Sequence, residues 1–379
     1  MHKTFKYRLY PTHVQVTLLN TTLEICRQVY NKTLGMRKYT YETEKKSLSL
    51  YDTHNLLTKW KKDSVHWNSV YSQVLTNVQV RVDLAYKAFF RRVKAKQTPG
   101  FPRFKGKGRY DSFTFPQASN QGAKIVGGGL RLSKIGIIST VFHRPVQGKI
   151  KTITIRKSST NKWYAYINVE IDPVRLPAND LAVGIDLGIK TFAVLSNGET
   201  VPNPRFFKRS EKKLAKVQRK YSKLEKGSSK RRAYRKVVAR VYEKISNQRK
   251  DFAHKLSRSL VHQFGTVVFE DLNIRGMIQD GHLAKSIHDV AWHQLVQYTI
   301  YKAEEAGRSV ILVDPRNTSK KCSRCGSIKE DLTLDDRTYI CTRCGLVLDR
   351  DFNASINILA LGLQRRGRCA PRRRVDLST

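Results

Sequence analysis

The sequence predicts an α+β protein of several domains, and three observations carry that expectation. Stretches of helical period and short strand-like runs fall in separate blocks along the 379 residues, which is the pattern of an α+β chain with more than one unit. A hydrophobic share of 40%, with 9% aromatic residues, is enough to build cores, so the high charge does not imply disorder. Four of the six cysteines stand in two Cys-x-x-Cys pairs, the mark of a small unit stapled by a metal rather than by disulfides.

The first strand is expected over residues 5–10, where Phe5, Tyr7 and Leu9 alternate with Lys6, Arg8 and Tyr10. Pro11 then opens a helix whose apolar face is Leu19, Leu23, Cys26, Tyr30 and Leu34. A second helix from about Ser69 carries Val70, Val74, Val78, Val82, Ala85, Phe89 and Val93, and residues 53–62 add a third. Together they predict a helical bundle over 11–96. At Pro99-Gly100-Phe101-Pro102 the pattern changes to short runs at 112–115, 129–132, 136–141, 151–156 and 163–170, separated by turns. That is the signature of a small antiparallel barrel, to which the first strand can belong, making the bundle an insertion.

Another unit starts near Leu181. Strands are expected at 181–187, 192–196 and 199–201, the last two joined by the hairpin signal Asn197-Gly198. A polar helical stretch over 205–264 follows, then a strand at 266–270, a helix at 286–306, a strand at 309–313 and a final helix at 353–363. Three strands in meander followed by helix, strand, helix, strand, helix is the element order of an RNase H-like nuclease fold. The arginines after Leu363 predict a disordered basic tail over 364–379.

Lys and Arg number 72 against 30 acids, a net charge of +42 that calls for a polyanionic partner, and nucleic acid is the usual one. No apolar run approaches the ~20 residues of a spanning helix, so no membrane association is expected. The polar start is unlike a secretory signal, and a cytoplasmic, nucleoid-associated protein is expected. Between Arg205 and Lys250 stand 19 Lys+Arg and 3 Glu, which Gly227-Ser228-Ser229 would break into a helical hairpin and offer to phosphates as a cationic wall.

Cys322, Cys325, Cys341 and Cys344 have the spacing of a zinc ribbon, and four thiolates leave no open position, so the ion is expected to be structural. Asp186 lies in an apolar first strand, Glu270 ends a buried strand, and Asp351 opens the last helix, where N-capping is the plain alternative. In an RNase H-like order these three places meet at one sheet edge. Three clustered carboxylates make sense as a site for divalent cations, two Mg²⁺ ions serving phosphodiester hydrolysis.

The chain resembles the transposon-encoded TnpB nucleases, relatives of type V CRISPR effectors. The resemblance rests on Lys6-Tyr7-Arg8-Leu9-Tyr10-Pro11, Ala85 to Arg92 with Pro99 to Phe104, Gly184 to Lys190, Glu270-Asp271-Leu272-Asn273, Thr318 to Gly326 and Asp349 to Ala354. It implies an RNA-guided DNA endonuclease: a RuvC-like nuclease domain over 181–315 and 348–363 that cuts with Asp186, Glu270 and Asp351, and a zinc ribbon inserted at 316–347. It further implies a β-barrel wedge domain over 1–10 and 97–180 that carries a helical recognition domain at 11–96. The implied partners are a guide RNA from the transposon end and target double-stranded DNA, bound by a monomer. A short motif beside the target would be read near Tyr51, Ser72, Gln73, Thr76 and Thr114. Three rivals stand beside it: a guided repressor without cleavage, which predicts a lost acid where none of the three is lost; a transposase that joins strands by the same metal chemistry, which composition does not exclude; and a non-catalytic zinc-ribbon RNA binder, which would leave the three positioned acids unexplained.

Overall fold

The computed structural model describes residues 1–117, 122–273, 276–277, 291–333 and 335–369. The chain forms two compact units, Met1–Asp172 and Pro173–Thr379.

The first unit begins with β1 (His2–Tyr10) and continues through α1 (His13–Glu44), α2 (Leu50–Asp63), a short 3-10 turn and α3 (Ser72–Lys94). Six strands follow: β2 (Ser112–Phe115), β3 (Ala123–Val126), β4 (Gly129–Leu132), β5 (Gly136–Val141), β6 (Lys149–Lys157) and β7 (Trp163–Glu170). They form a nearly closed antiparallel β-barrel sheet in the order β2-β6-β7-β1-β5-β4-β3, with β1 between β7 and β5, so the three helices interrupt the sheet's own sequence. Thr12 caps α1 by accepting from Gln15 N at 3.3 Å, and the Gln15 side chain returns to Thr12 N at 3.0 Å. The stripe Leu19, Leu23, Cys26, Tyr30 and Leu34 is buried as its spacing requires. On α3 the burial stops at Asp83, and Phe90 and Val93 are exposed. β3 escaped the sequence reading: it is four residues long and pairs with β4 across the Gly127-Gly128 turn, where Gly128 has φ +71°.

The second unit holds a five-stranded sheet, order β10-β9-β8-β11-β12. Its strands are β8 (Ala182–Leu187), β9 (Thr191–Leu195), β10 (Thr200–Pro202), β11 (Thr266–Glu270) and β12 (Ser309–Val313). β8, β9 and β10 run as an antiparallel meander, while β8, β11 and β12 are parallel. Between β10 and β11 come α4 (Phe206–Lys223) and α5 (Ser229–Gln263); α6 (Trp292–Ala306) precedes β12, and α7 (Arg350–Cys369) ends the described chain. α5 and α6 cover one sheet face through Leu260, Phe264, Trp292 and Leu295. α7 covers the other, with Ile358 against Val268 and Val313.

Two boundaries differ from expectation. Residues 173–180, assigned to the barrel, join the second unit, where Leu176 N donates to Ala306 O at 3.0 Å. The expected tail from 364 is helical as far as Cys369, because Arg365 donates to Leu312 O and Arg366 to Thr266 Oγ1, fastening the last turns to the sheet. Residues 370–379 lie outside the described residues, as do 286–290 of the helix expected before β12.

Lys302 of α6 is buried against α5, donating to His254 O and Ser257 Oγ, both at 2.6 Å. Burial pulls its pKa down to about 8, Arg258 adding to the effect and Glu305 opposing it. The folded protein thus releases this proton more readily than the unfolded chain. The cost of the buried cation is fully present below that value and disappears as pH rises towards the ordinary lysine range. Wild-type stability is therefore expected to gain on that of Lys302→Met between about pH 7.5 and about pH 10, read from urea midpoints. A difference that stays constant with pH would mean the ammonium is solvated.

Candidate active site and zinc knuckle

The strand register begins the site. Parallel pairing sets Phe269 against Ile185, so Glu270 stands level with Asp186 at the carboxyl ends of neighbouring strands. Successive side chains on a strand point to opposite faces. Ile185 and Phe269 enter the core beneath α5 and α6, which turns Asp186 and Glu270 to the α7 side. Asp351 is the second residue of α7.

α7 reaches this edge because two glycines let it lie directly on the strands. A Cβ on Gly184 would fall 2.2 Å from Ser355 O and 2.5 Å from Leu359 N, and one on Gly362 2.4 Å from Val268 Cγ2. The three acids then share one electrostatic environment. The Asp186 carboxyl is pushed well above the usual carboxylate range, first by burial, then by the negative charges of Glu270, Asp351 and Asp349, with Arg350 opposing. Burial raises Glu270 too, against the hydroxyl of Thr318, which donates to its Oε1 at 2.6 Å.

The capping alternative for Asp351 falls to its neighbour. Asp349 Oδ1 accepts from Asp351 N at 2.9 Å and Phe352 N at 3.0 Å, the work of an N-cap, and leaves the Asp351 carboxylate free for other partners. Those are Arg350 Nη2 at 3.0 Å and Arg337 Nη1 at 3.8 Å.

The four cysteines form a separate cluster in which every Sγ lies within 4.8 Å of the others. Cys322 and Cys344 are 3.6 Å apart, as are Cys325 and Cys341. A disulfide needs about 2.0 Å; thiolates placed tetrahedrally ~2.3 Å from one zinc ion stand about 3.8 Å apart. The donor set fits a closed, structural zinc site. Gly326 (φ +75°) and Gly345 (φ +70°) close the two knuckles, their amides donating to Cys322 O and Cys341 O. The small core is Tyr339 and Leu346 around the thiols, backed by the hairpin β13 (Thr338–Ile340) and β14 (Val347–Asp349), which the sequence reading did not find. Among the described residues this is the one group of three or more His, Cys, Asp or Glu side chains gathered closely enough to hold a metal ion. Asp186, Glu270 and Asp351 do not form such a group.

The basic stretch forms two helices, with the turn at 224–228 and Ser228 capping α5 through Arg231 N at 3.1 Å. The arms meet through Leu214, Val241 and Ile245, leaving Lys212, Lys213, Lys216, Arg219, Lys220 and Lys223 exposed. A second cationic surface was missed. On the outward face of β1 and β7, Lys6 Nζ lies 4.1 Å from the Tyr164 ring and 5.8 Å from that of Tyr166, and Arg8 Cζ lies 5.2 Å from Tyr164 and 5.4 Å from Tyr10. The period-2 alternation of Lys6, Arg8 and Tyr10 was the available signal. Of the residues expected near a motif-reading site, Ser72, Gln73 and Thr76 share the start of α3, Tyr51 is exposed on α2, and Thr114 is on β2. Thr114 Oγ1 is engaged by Arg81 Nη2 at 2.8 Å and by Thr154 Oγ1 at 2.8 Å.

Comparison with known proteins places this arrangement among Cas12-like α+β proteins. Residues 166–280 match the family described as "Probable transposase", 292–358 the "Cas12f1-like, TNB domain", and 1–46 a "Helix-turn-helix domain", a span that here holds β1 and the single helix α1. A "Putative RNA-guided DNA endonuclease" of Streptomyces pristinaespiralis is 36% identical over 367 residues, covering 95% of this chain and 89% of its own length. InsQ of Escherichia coli K12, which carries the same description, is 30% identical over 379 residues, covering 94% and 92%. The Cas12f1 chain of a solved Cas12f1-sgRNA-target DNA complex superposes with a TM-score of 0.60 over 94% of this chain and 98% of its own, at 13% identity, and so shares the fold. The chain belongs to the transposon-encoded TnpB family.

Two outcomes follow from this geometry. Gly184→Ala should lift α7 off β8 at a cost of about 3 kcal/mol or more, lowering Tm by roughly 5–10 °C, whereas Gly127→Ala, which meets nothing within 4 Å, should be neutral in the same thermal scan. Purified protein should carry zinc in equal proportion to chain by elemental analysis, and Cys341→Ser should reduce it to background.

Proposed function

We propose that this chain is a transposon-encoded, RNA-guided DNA endonuclease that cuts through Asp186, Glu270 and Asp351. The observation that carries the reading is the gathering of three carboxylates at one end of the sheet on the face α7 covers, in a chain whose relatives are described as RNA-guided DNA endonucleases. The strand order, a meander followed by two parallel strands, supports an RNase H-like, RuvC-type assignment for the second unit. In that scheme the ribbon is an insertion between β12 and α7, and the first unit supplies the wedge and recognition domains.

Magnesium ions held by the three carboxylates would polarise the phosphodiester and supply an activated water. The residues fit that role. Their mutual repulsion is what cations relieve. Arg350 and Arg337 restrain the Asp351 carboxylate from the outer side, while Thr318 holds one oxygen of Glu270. The α4–α5 cations and the Lys6, Arg8, Tyr164 and Tyr166 surface would grip guide RNA and target through phosphates and stacked bases. Tyr51, Ser72, Gln73, Thr76 and Thr114 would contact the target-adjacent motif, with Thr114 presented by Arg81. Sequence would otherwise be read by pairing to the guide.

The purified protein should carry a discrete RNA and cut matching double-stranded DNA only with that RNA, Mg²⁺ and an adjacent motif. Asp186→Ala should reduce cutting on the order of a thousandfold or more. Unimpaired cutting by that variant would sink the assigned centre, and joined rather than free ends would show strand transfer instead of hydrolysis.

A further inference from the structure

Glu270 is buried at the end of β11, and among the described residues its carboxylate has a single hydrogen-bond partner, Thr318. The Thr318 hydroxyl has two acceptors in reach, Glu270 Oε1 at 2.6 Å and Pro315 O at 3.0 Å, and one proton to give. The shorter bond, to an ionisable oxygen, is the stronger. We propose that Thr318 is a positioning residue for the nuclease centre, fixing the rotamer in which Glu270 presents its second oxygen to a divalent cation. This rests on the function proposed above.

Thr318 is itself held from the helix that bears Asp351. Asn357 Nδ2 donates to Thr318 O at 2.9 Å and to Lys321 O at 2.6 Å; Asn353 Nδ2 donates to Lys321 O at 2.8 Å, and its Oδ1 accepts from Ser323 N at 3.0 Å. Both asparagines are buried. One helix therefore carries an acid at 351, the anchors of the Thr318 segment at 353 and 357, and through Ser323 a hold on the first zinc knuckle. A buried side chain is fixed by such partners where a solvated one would sample several rotamers, and outer partners of metal ligands are commonly worth 10–100-fold in metal affinity.

The test uses the full-length protein, zinc-loaded, with Mn²⁺ as the probe followed by electron paramagnetic resonance. Thr318→Val should weaken Mn²⁺ binding about 10–100-fold with zinc content unchanged, and should raise the Mg²⁺ concentration for half-maximal cutting in step. Thr318→Ser, which keeps the hydroxyl, should restore binding to within a few-fold; if the valine variant folds poorly, Thr318→Ala gives the same readout. Glu270→Gln provides the reference. Mn²⁺ binding lost in Glu270→Gln but retained in Thr318→Val and Thr318→Ala overturns the positioning role and leaves the centre standing. Binding retained in all of them overturns the centre, and the positioning role with it. A serine variant no better than valine also overturns the role, reducing Thr318 to a packing residue.

Discussion

The close approach of α7 to the five-stranded sheet is the constraint on which the second unit depends. An α-helix normally stands off a sheet by the thickness of its side chains, but at Gly184 and Gly362 backbone and side-chain atoms come within a distance no Cβ could share. That contact sets the depth of the helix and thereby the place of its first turn. Asp351 reaches the edge where Glu270 ends β11 and Asp186 stands one residue before the end of β8, because the helix is pinned at both of these points.

Gathering acids in this way is costly to the fold. Burial and like charge lift the Asp186 carboxyl, and the compensation is assembled around the rim: Arg350 and Arg337 on Asp351, Thr318 on Glu270, Asp349 turned away to cap the helix. Meanwhile the positive charge lies elsewhere, on the α4–α5 hairpin and on the outer face of β1 and β7. The acidic edge and the cationic surfaces are complementary in chemistry, one suited to cations and the other to phosphates and bases.

Much of this was legible in the sequence, and the reasons for the rest are physical. Short apolar runs gave the bounds of β2, β4, β5, β7, β11 and β12, since a strand bounded by turns and buried on its face announces both ends. The thiolate spacing gave the knuckle, because the ligands of one ion are local in sequence. The three acids were legible as a set only through element order; that they share a face depends on the register of β11 against β8, which no local pattern carries. β3 and the β13–β14 hairpin are too short to show a period. The pairing of Lys6 and Arg8 with Tyr164 appears only when β1 and β7 are laid side by side. The arginines after Leu363 looked like a tail because their partners, Leu312 O and Thr266 Oγ1, are distant in sequence; cations in a last helical turn also suit the helix dipole.

The ribbon leaves the sheet at the carboxyl end of β12 and returns at the amino end of α7, so it departs from and re-enters at the same edge. Its thiols suggest a module bounded by Cys322 and Cys344, one that could be lengthened, shortened or exchanged as a cassette. Its hydrogen bonds draw a different border. The segment from Pro315 to Lys321 precedes every thiol, yet it is tied to Glu270 and to α7, and belongs by contact to the sheet's edge. A graft made at the cysteines would cut off Gly345, Leu346 and β14, which complete the thiol cluster, while one made at the start of the excursion would remove part of the sheet's edge itself.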